Sequence, residues 1–360
     1  VFSSVHESFS SIFILSLLCL PVTAQTSIFS QVHLLFESIS QSEKSVAGAI
    51  TALTQDKQGF IWIGTQHGLV KYDGYQYIHY VANDQASTGL TGNFVISLWA
   101  AEDGRIWIGT RANGISVFNP ANGQFSRYRH EPDNSNSLSD NRISAIVGDN
   151  NGHIWIGTNN GLDLLDEDTG IFSHFRADEQ DSTSINDNHI RALLLTNDGD
   201  LWVGSYDGLN LLRRDSSSGF SREFSQQGSN DSLAGHVVYR IMQASDGALW
   251  VTTPQRGAIR IDKQTQNFIR IEKGGELDYQ LENAWVTAIV QPNDDEIWLG
   301  TNGGGLTIVD SQSGKVKRSI RYQQGAEHGL KHDDIGSMFI DDSGLVWIGT
   351  WGAGINLHNP

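Results

Sequence analysis

The chain has 360 residues, 18% of them charged, with 41 acidic against 24 basic side chains and a formal net charge of −17. Such a surface argues against a nucleic-acid backbone or an anionic membrane as the partner, while the length suffices to bury an ample core. One Cys in the whole sequence leaves no disulfide framework and no cysteine zinc site.

In chain order, the first feature is an apolar run from Ile12 to Leu20, followed by the small residues of Val22-Thr23-Ala24. This predicts an export signal over residues 1–24, although no Lys or Arg precedes the run and the chain opens on Val. Cys19 lies within it, so residues 25–360 carry no thiol, which fits a periplasmic protein. No later stretch is long and apolar enough to span a bilayer. Val32 to Phe36 then reads as a short strand ahead of the polar stretch Glu37 to Lys44.

From residue 50 onward one pattern is written seven times. Its Trp recurs as Trp62, Trp107, Trp155, Trp202, Trp250, Trp298 and Trp347, at spacings of 45, 48, 47, 48, 48 and 49 residues. A fixed period of this length marks a repeat architecture. The third copy predicts strands at Ile143 to Val147, 153–158, Gly161 to Leu165 and Ile171 to Phe175, joined by turns such as Asp149 to Gly152. Four antiparallel strands per repeat form a propeller blade, so the expected fold is all-β, a seven-bladed β-propeller over residues 25–360.

Aligning the copies on Trp separates scaffold from variation. Twelve residues before it stands Ile50, Val95, Ile143, Ile190, Val238, Val286 or Ile335; ten before it, Ala52, Ser97, Ala145, Ala192, Arg240, Ala288 or Ser337. Small side chains suit the crowded inner strands, and Arg240, the exception, reads as a locally widened seam rather than as a side chain entering the central channel. A Gly three before the Trp fits a left-handed turn position, with Asp295 as a tolerable substitute in the sixth copy. The seventh copy ends without a fourth strand, so residues 32–36 are expected to supply it by pairing with 354–358, removing an open edge.

The Trp-Ile-Gly-Thr strand, the Gly-Leu step after it and the Asp-Gly or Asn-Gly turns before it resemble the two-component regulator propeller repeat. The resemblance spans residues 25–360, with the fifth copy, Trp250-Val251-Thr252-Thr253-Pro254, departing most. It implies the exported sensor region of a hybrid histidine kinase or diguanylate cyclase: a non-catalytic module that acts by ligand or partner binding, within a longer receptor held in the inner membrane by a helix beyond this sequence and able to dimerise. Streptogramin lyases also resemble this repeat. An enzyme of that type is the alternative, and would need His189, His236 or His328 to converge with an acidic or metal-binding group.

No phosphate loop, serine elbow or metal-ligand series is present, so no catalytic residue, metal or cofactor is expected. The acidic turns, Asp341 to Gly344 among them, read as hairpin turns rather than calcium loops. The position thirteen before the Trp varies without scaffold logic: Ala49, Phe94, Arg142, His189, Val237, Trp285 and Asp334. With the neighbouring turn residues His67, Arg111, Asn159, Asn160, Tyr206, Asp207, Arg256 and Trp351 it forms a ring at the channel mouth. Aromatic faces beside amides and charges suit a polar small molecule or oligosaccharide. Trp285 and Arg142 lead the candidates, followed by Phe94, His189, Asp334, Tyr206 and Trp351.

Overall fold

Each copy folds into one blade because its Trp strand needs cover on both faces. In the computed structural model of the protein, which describes residues 34–38, 48–82, 89–149, 151–225 and 232–360, all five residues of Ile61–Thr65 are buried, as are those of Ile106–Thr110 and Leu249–Thr253. The expected export signal lies outside these residues. The propeller is the unit Leu35–Pro360. Among the described residues its strands form seven four-stranded antiparallel sheets. In the third blade these are Ile143–Gly148, His153–Thr158, Gly161–Asp166 and Ile171–Phe175, within a residue of expectation. The outermost strand is the most exposed of the four, with Phe172 its one buried residue.

All seven repeat tryptophans are core, with exposures of 0% to 9%. Each reaches toward the next blade. Trp107 clusters with Ile143, Ile146 and Ile154, Trp250 with Val286 and Ile297, and Trp347 with Ile50, Ile61 and Ile63. The Gly two after the Trp makes this approach possible. A methyl group placed on Gly64 would lie 2.7 Å from Val95 Cγ1 of the second blade, and one on Gly300 would lie 2.6 Å from Ile335 Cγ2 of the seventh. The fifth blade has Thr252 at this place, paired across the strands with Arg240, where the first blade pairs Gly64 with Ala52.

The turn glycines Gly59, Gly104, Gly152, Gly199, Gly247 and Gly344 have φ between 82° and 91°, the left-handed region the sequence pattern anticipates. Asp295 does not join them. Its blade shifts register between Val290 and Asn293 and closes the hairpin with an Asn293–Glu296 pair. Pro292, which has no N–H to give the ladder, stands inside that shift.

The seventh blade takes its fourth strand from the N-terminal side, but not from residues 34–36 of the expected stretch 32–36. The strand is Glu37–Ser38, with Glu37 opposite Leu357 and Ser38 opposite Asn356. Residues 32 and 33 lie outside the described ones. Phe36 instead turns inward, 1% exposed, its N–H donating to His328 O at 2.9 Å and its ring 5.5 Å from that of His358. A large apolar side chain gains more from that pocket than from extending a ladder by one pair. The first and last blades also meet directly: Ser337 Oγ donates to Ile50 O at 3.4 Å, and Asp342 N to Gln55 Oε1 at 2.8 Å.

Candidate functional site

The geometry of the channel mouth begins with a bulge. In six blades the pairing of the first strand with the Trp strand skips the residue eleven before the Trp, as between Ile50 and Ala52 or Ile190 and Ala192. The fifth blade starts its strand only at Arg240, with Tyr239 N bonded to Thr252 O at 2.7 Å. A bulge leaves its residue unpaired and re-aims it. Here it places Thr51, Ile96, Ser144, Arg191, Tyr239 and Gly336 around a mouth cavity of about 670 Å³. That volume is within the range of about 300–1,000 Å³ common to small-molecule sites.

Beneath it, the residues ten before each Trp line a narrower channel of about 280 Å³, Arg240 among them. Arg240 also lines the mouth cavity. It therefore enters the channel, against the seam reading. Opposite Thr252, where other blades have Gly, the seam offers its side chain no place, and the open axis does.

A second repeated contact fixes the rim. The carbonyl thirteen before the Trp accepts from the N–H four after it: Arg111 N to Phe94 O at 2.9 Å, Tyr206 N to His189 O at 3.1 Å, Asn302 N to Trp285 O at 3.0 Å, and Trp351 N to Asp334 O at 3.0 Å. The two variable positions therefore sit side by side. Their side chains follow suit, with Arg111 over the Phe94 ring at 5.0 Å and the His189 and Tyr206 rings 5.3 Å apart.

Of the seven leading candidates, Phe94, Arg142, Trp285 and Trp351 line the mouth cavity, together with Arg111 and Asn159. His189, Tyr206 and Asp334 do not: His189 faces Asp187 at 3.0 Å and Asp334 faces His332 at 3.8 Å. His236 and His328 are not lining residues either. Sequence reasoning missed Arg191 and Tyr239, which stand at the bulge position. The guanidinium carbons of Arg191 and Arg240 lie 4.9 and 4.6 Å from the centre of the Tyr239 ring, which meets Trp285 edge-on at 6.1 Å.

Arg240 Nη1 donates to Tyr239 O at 3.1 Å. Enclosure by the channel wall pulls its pKa below the ordinary arginine value; the adjacent Tyr239 counteracts this and nearby Arg191 adds to it. The acidic turns behave differently. Asp341 accepts from Ser343 N, Leu345 N and Trp347 Nε1 at 2.9, 3.0 and 2.8 Å, so its carboxylate is taken up by its own blade.

The family model described as the two component regulator propeller matches residues 46–67, 137–160, 184–207 and 329–352, each span carrying one repeat Trp. The first, third, fourth and seventh copies thus carry the two-component regulator propeller repeat. This regulator propeller is similar to the extracellular domain of a protein from B. thetaiotaomicron described as a hybrid two component system, at 26% identity and a TM-score of 0.75 over 91% of this chain and 42% of that one. A second extracellular domain from the same organism, described as belonging to a one component system, matches at 20% identity and a TM-score of 0.70, over 91% and 40% of the two chains. The regulator propeller thus spans less than half the length of these structures. A streptogramin B lyase shares the fold at 17% identity and a TM-score of 0.63, over 90% of this chain and 97% of the lyase. No curated protein matches the chain.

Proposed function

We propose that this regulator propeller is the ligand-receiving part of an exported, periplasmic sensor, and that it binds a polar organic molecule such as an oligosaccharide at the mouth of its central channel. The supporting observation is the lining of that mouth. Phe94, Trp285 and Trp351 offer ring faces beside Arg111, Arg142 and Asn159, all on loops that the blade scaffold leaves free to vary. Likeness to extracellular domains of signalling proteins favours a sensor over an enzyme. Binding is read out by a receptor beyond this chain, in which dimerisation is the natural partner contact. The ligand must prefer one receptor state, since equal affinity shifts nothing.

Trp285 is the test. It is 39% exposed and contributes little to the repeated core. Trp285→Ala is expected to leave the melting midpoint of the free protein within about 1–2 °C of the parent while removing the rise produced by a bound oligosaccharide, a rise that corresponds to about 2.7 kcal/mol at a hundredfold excess over Kd. An early-melting variant would make Trp285 a packing residue. A parent that no oligosaccharide, small acid or peptide stabilises would move the propeller's task to protein contact.

A further inference from the structure

Acidic residues outnumber basic ones in this chain by 41 to 24, yet the mouth cavity has the opposite balance. Arg111, Arg142, Arg191 and Arg240 line it, and among the described residues no Asp or Glu does. The channel beneath has the same bias, with Arg191 and Arg240 in its wall and no acid. Neither of these two guanidinium groups has a carboxylate partner among the described residues. Elsewhere arginines are neutralised in place: Arg105 holds Glu167 at 2.6 Å, Arg260 holds Asp246 at 2.6 Å and Arg321 holds Asp333 at 2.9 Å.

Resting on the mouth reading above, we propose that the site takes an organic oxyanion, a carboxylate or sulfate carried on a ring. The anionic group sits between Arg191 and Arg240, and its ring lies against Trp285 and Tyr239. The two guanidinium groups flank one tyrosine ring, so like charges are held close in an enclosed space, and an anion relieves both their repulsion and their lost hydration. Guanidinium is suited to this task because its planar fork grips two oxygens at once. Arg111 and Arg142, exposed at the rim, add a screened field that draws the anion in.

Titration calorimetry on the 360-residue chain with three probes separates the possibilities: a trigalacturonate, the neutral trisaccharide of the same linkage, and inorganic sulfate. The acidic sugar should bind at least tenfold more tightly than the neutral one, with affinity falling as salt rises. Arg240→Met and Arg191→Met should each weaken the acidic sugar at least tenfold without changing the neutral one. Should Arg240→Met fail to fold, Arg191→Met and the rim variant Arg142→Gln carry the test, the latter reducing mainly the salt dependence. Sulfate binding that both Met variants abolish supports the oxyanion pocket even where the uronate does not fit. Equal affinity for the two sugars, lost in Trp285→Ala but kept in the Arg variants, overturns the oxyanion and leaves the mouth reading standing. No binding of any probe to a correctly folded parent overturns both.

Discussion

The seven tryptophans occupy one place in the repeat but not one chemical environment. Trp62 Nε1 donates to Asp56 at 2.7 Å and Trp347 Nε1 to Asp341 at 2.8 Å, whereas the indole N–H groups of Trp107, Trp202 and Trp250 have no protein partner among the described residues. In these five blades the difference follows the residue six before the Trp, Asp56 and Asp341 in the first pair and Ala101, Thr196 and Ala244 in the second set, whereas Trp298, with Pro292 there, donates to Glu296 at 3.1 Å. Trp62→Phe should therefore cost about 1–3 kcal/mol more than Trp250→Phe, because it leaves the 3% exposed Asp56 short of a donor. Truncation to Ala should cost about 3–5 kcal/mol at either position. Urea unfolding of the four variants checks the ordering, and equal losses for the two Phe variants would refute it. The core was legible because burial imposes Trp in every copy. The mouth was legible only in part. Strict alternation sends the residue eleven before the Trp away from its neighbours at ten and twelve, so Arg191 and Tyr239 stayed hidden until the bulge was seen.

At the scale of the hairpin, the turn between third and fourth strands carries a repeated electrostatic device. Asp73 accepts from Tyr75 N and Gln76 N at 2.8 and 2.6 Å, Asp262 from Gln264 N and Thr265 N at 2.8 and 3.0 Å, and Asp310 from Ser313 N at 2.8 Å. These amide bonds hold all three carboxyls below the ordinary aspartate value of 3.8. A carboxyl whose pKa is lowered on folding stabilises the fold above its unfolded value and loses that contribution as pH falls through its folded value. These turns should accordingly contribute to a fall in melting midpoint that sets in as pH drops through the ordinary aspartate value of 3.8 and continues below it. A variant combining Asp73→Asn, Asp262→Asn and Asp310→Asn should show a shallower drop. The substitution fits the turn, since Asn119 already serves there, accepting from Ala121 N at 3.0 Å. An acid transition unchanged in the triple variant would place the sensitivity elsewhere.

For the ring as a whole, the N-terminal clasp is two residues of ladder plus one buried phenylalanine, while the first and last blades are already packed together around Trp347. Deleting residues 1–38 should lower the melting midpoint and expose the edge of Ile355–His358, raising light scattering on storage. Phe36→Ala should reproduce most of the loss in midpoint, and an equally stable, equally soluble truncation would show that the interblade packing suffices. The bulge residues have a consequence of another kind. Thr51 ties the first blade to the second through Val95 O at 2.6 Å, and Thr287 ties the sixth to the seventh through Ile335 O at 2.5 Å. Arg191 and Tyr239 occupy the same place in the fourth and fifth blades without such a tie, as do Ile96, Ser144 and Gly336 in the second, third and seventh, and all five line the mouth. An occupant touching Arg191, Tyr239 and Trp285 would supply a link of that kind from the axis side, fastening the fourth, fifth and sixth blades to one another.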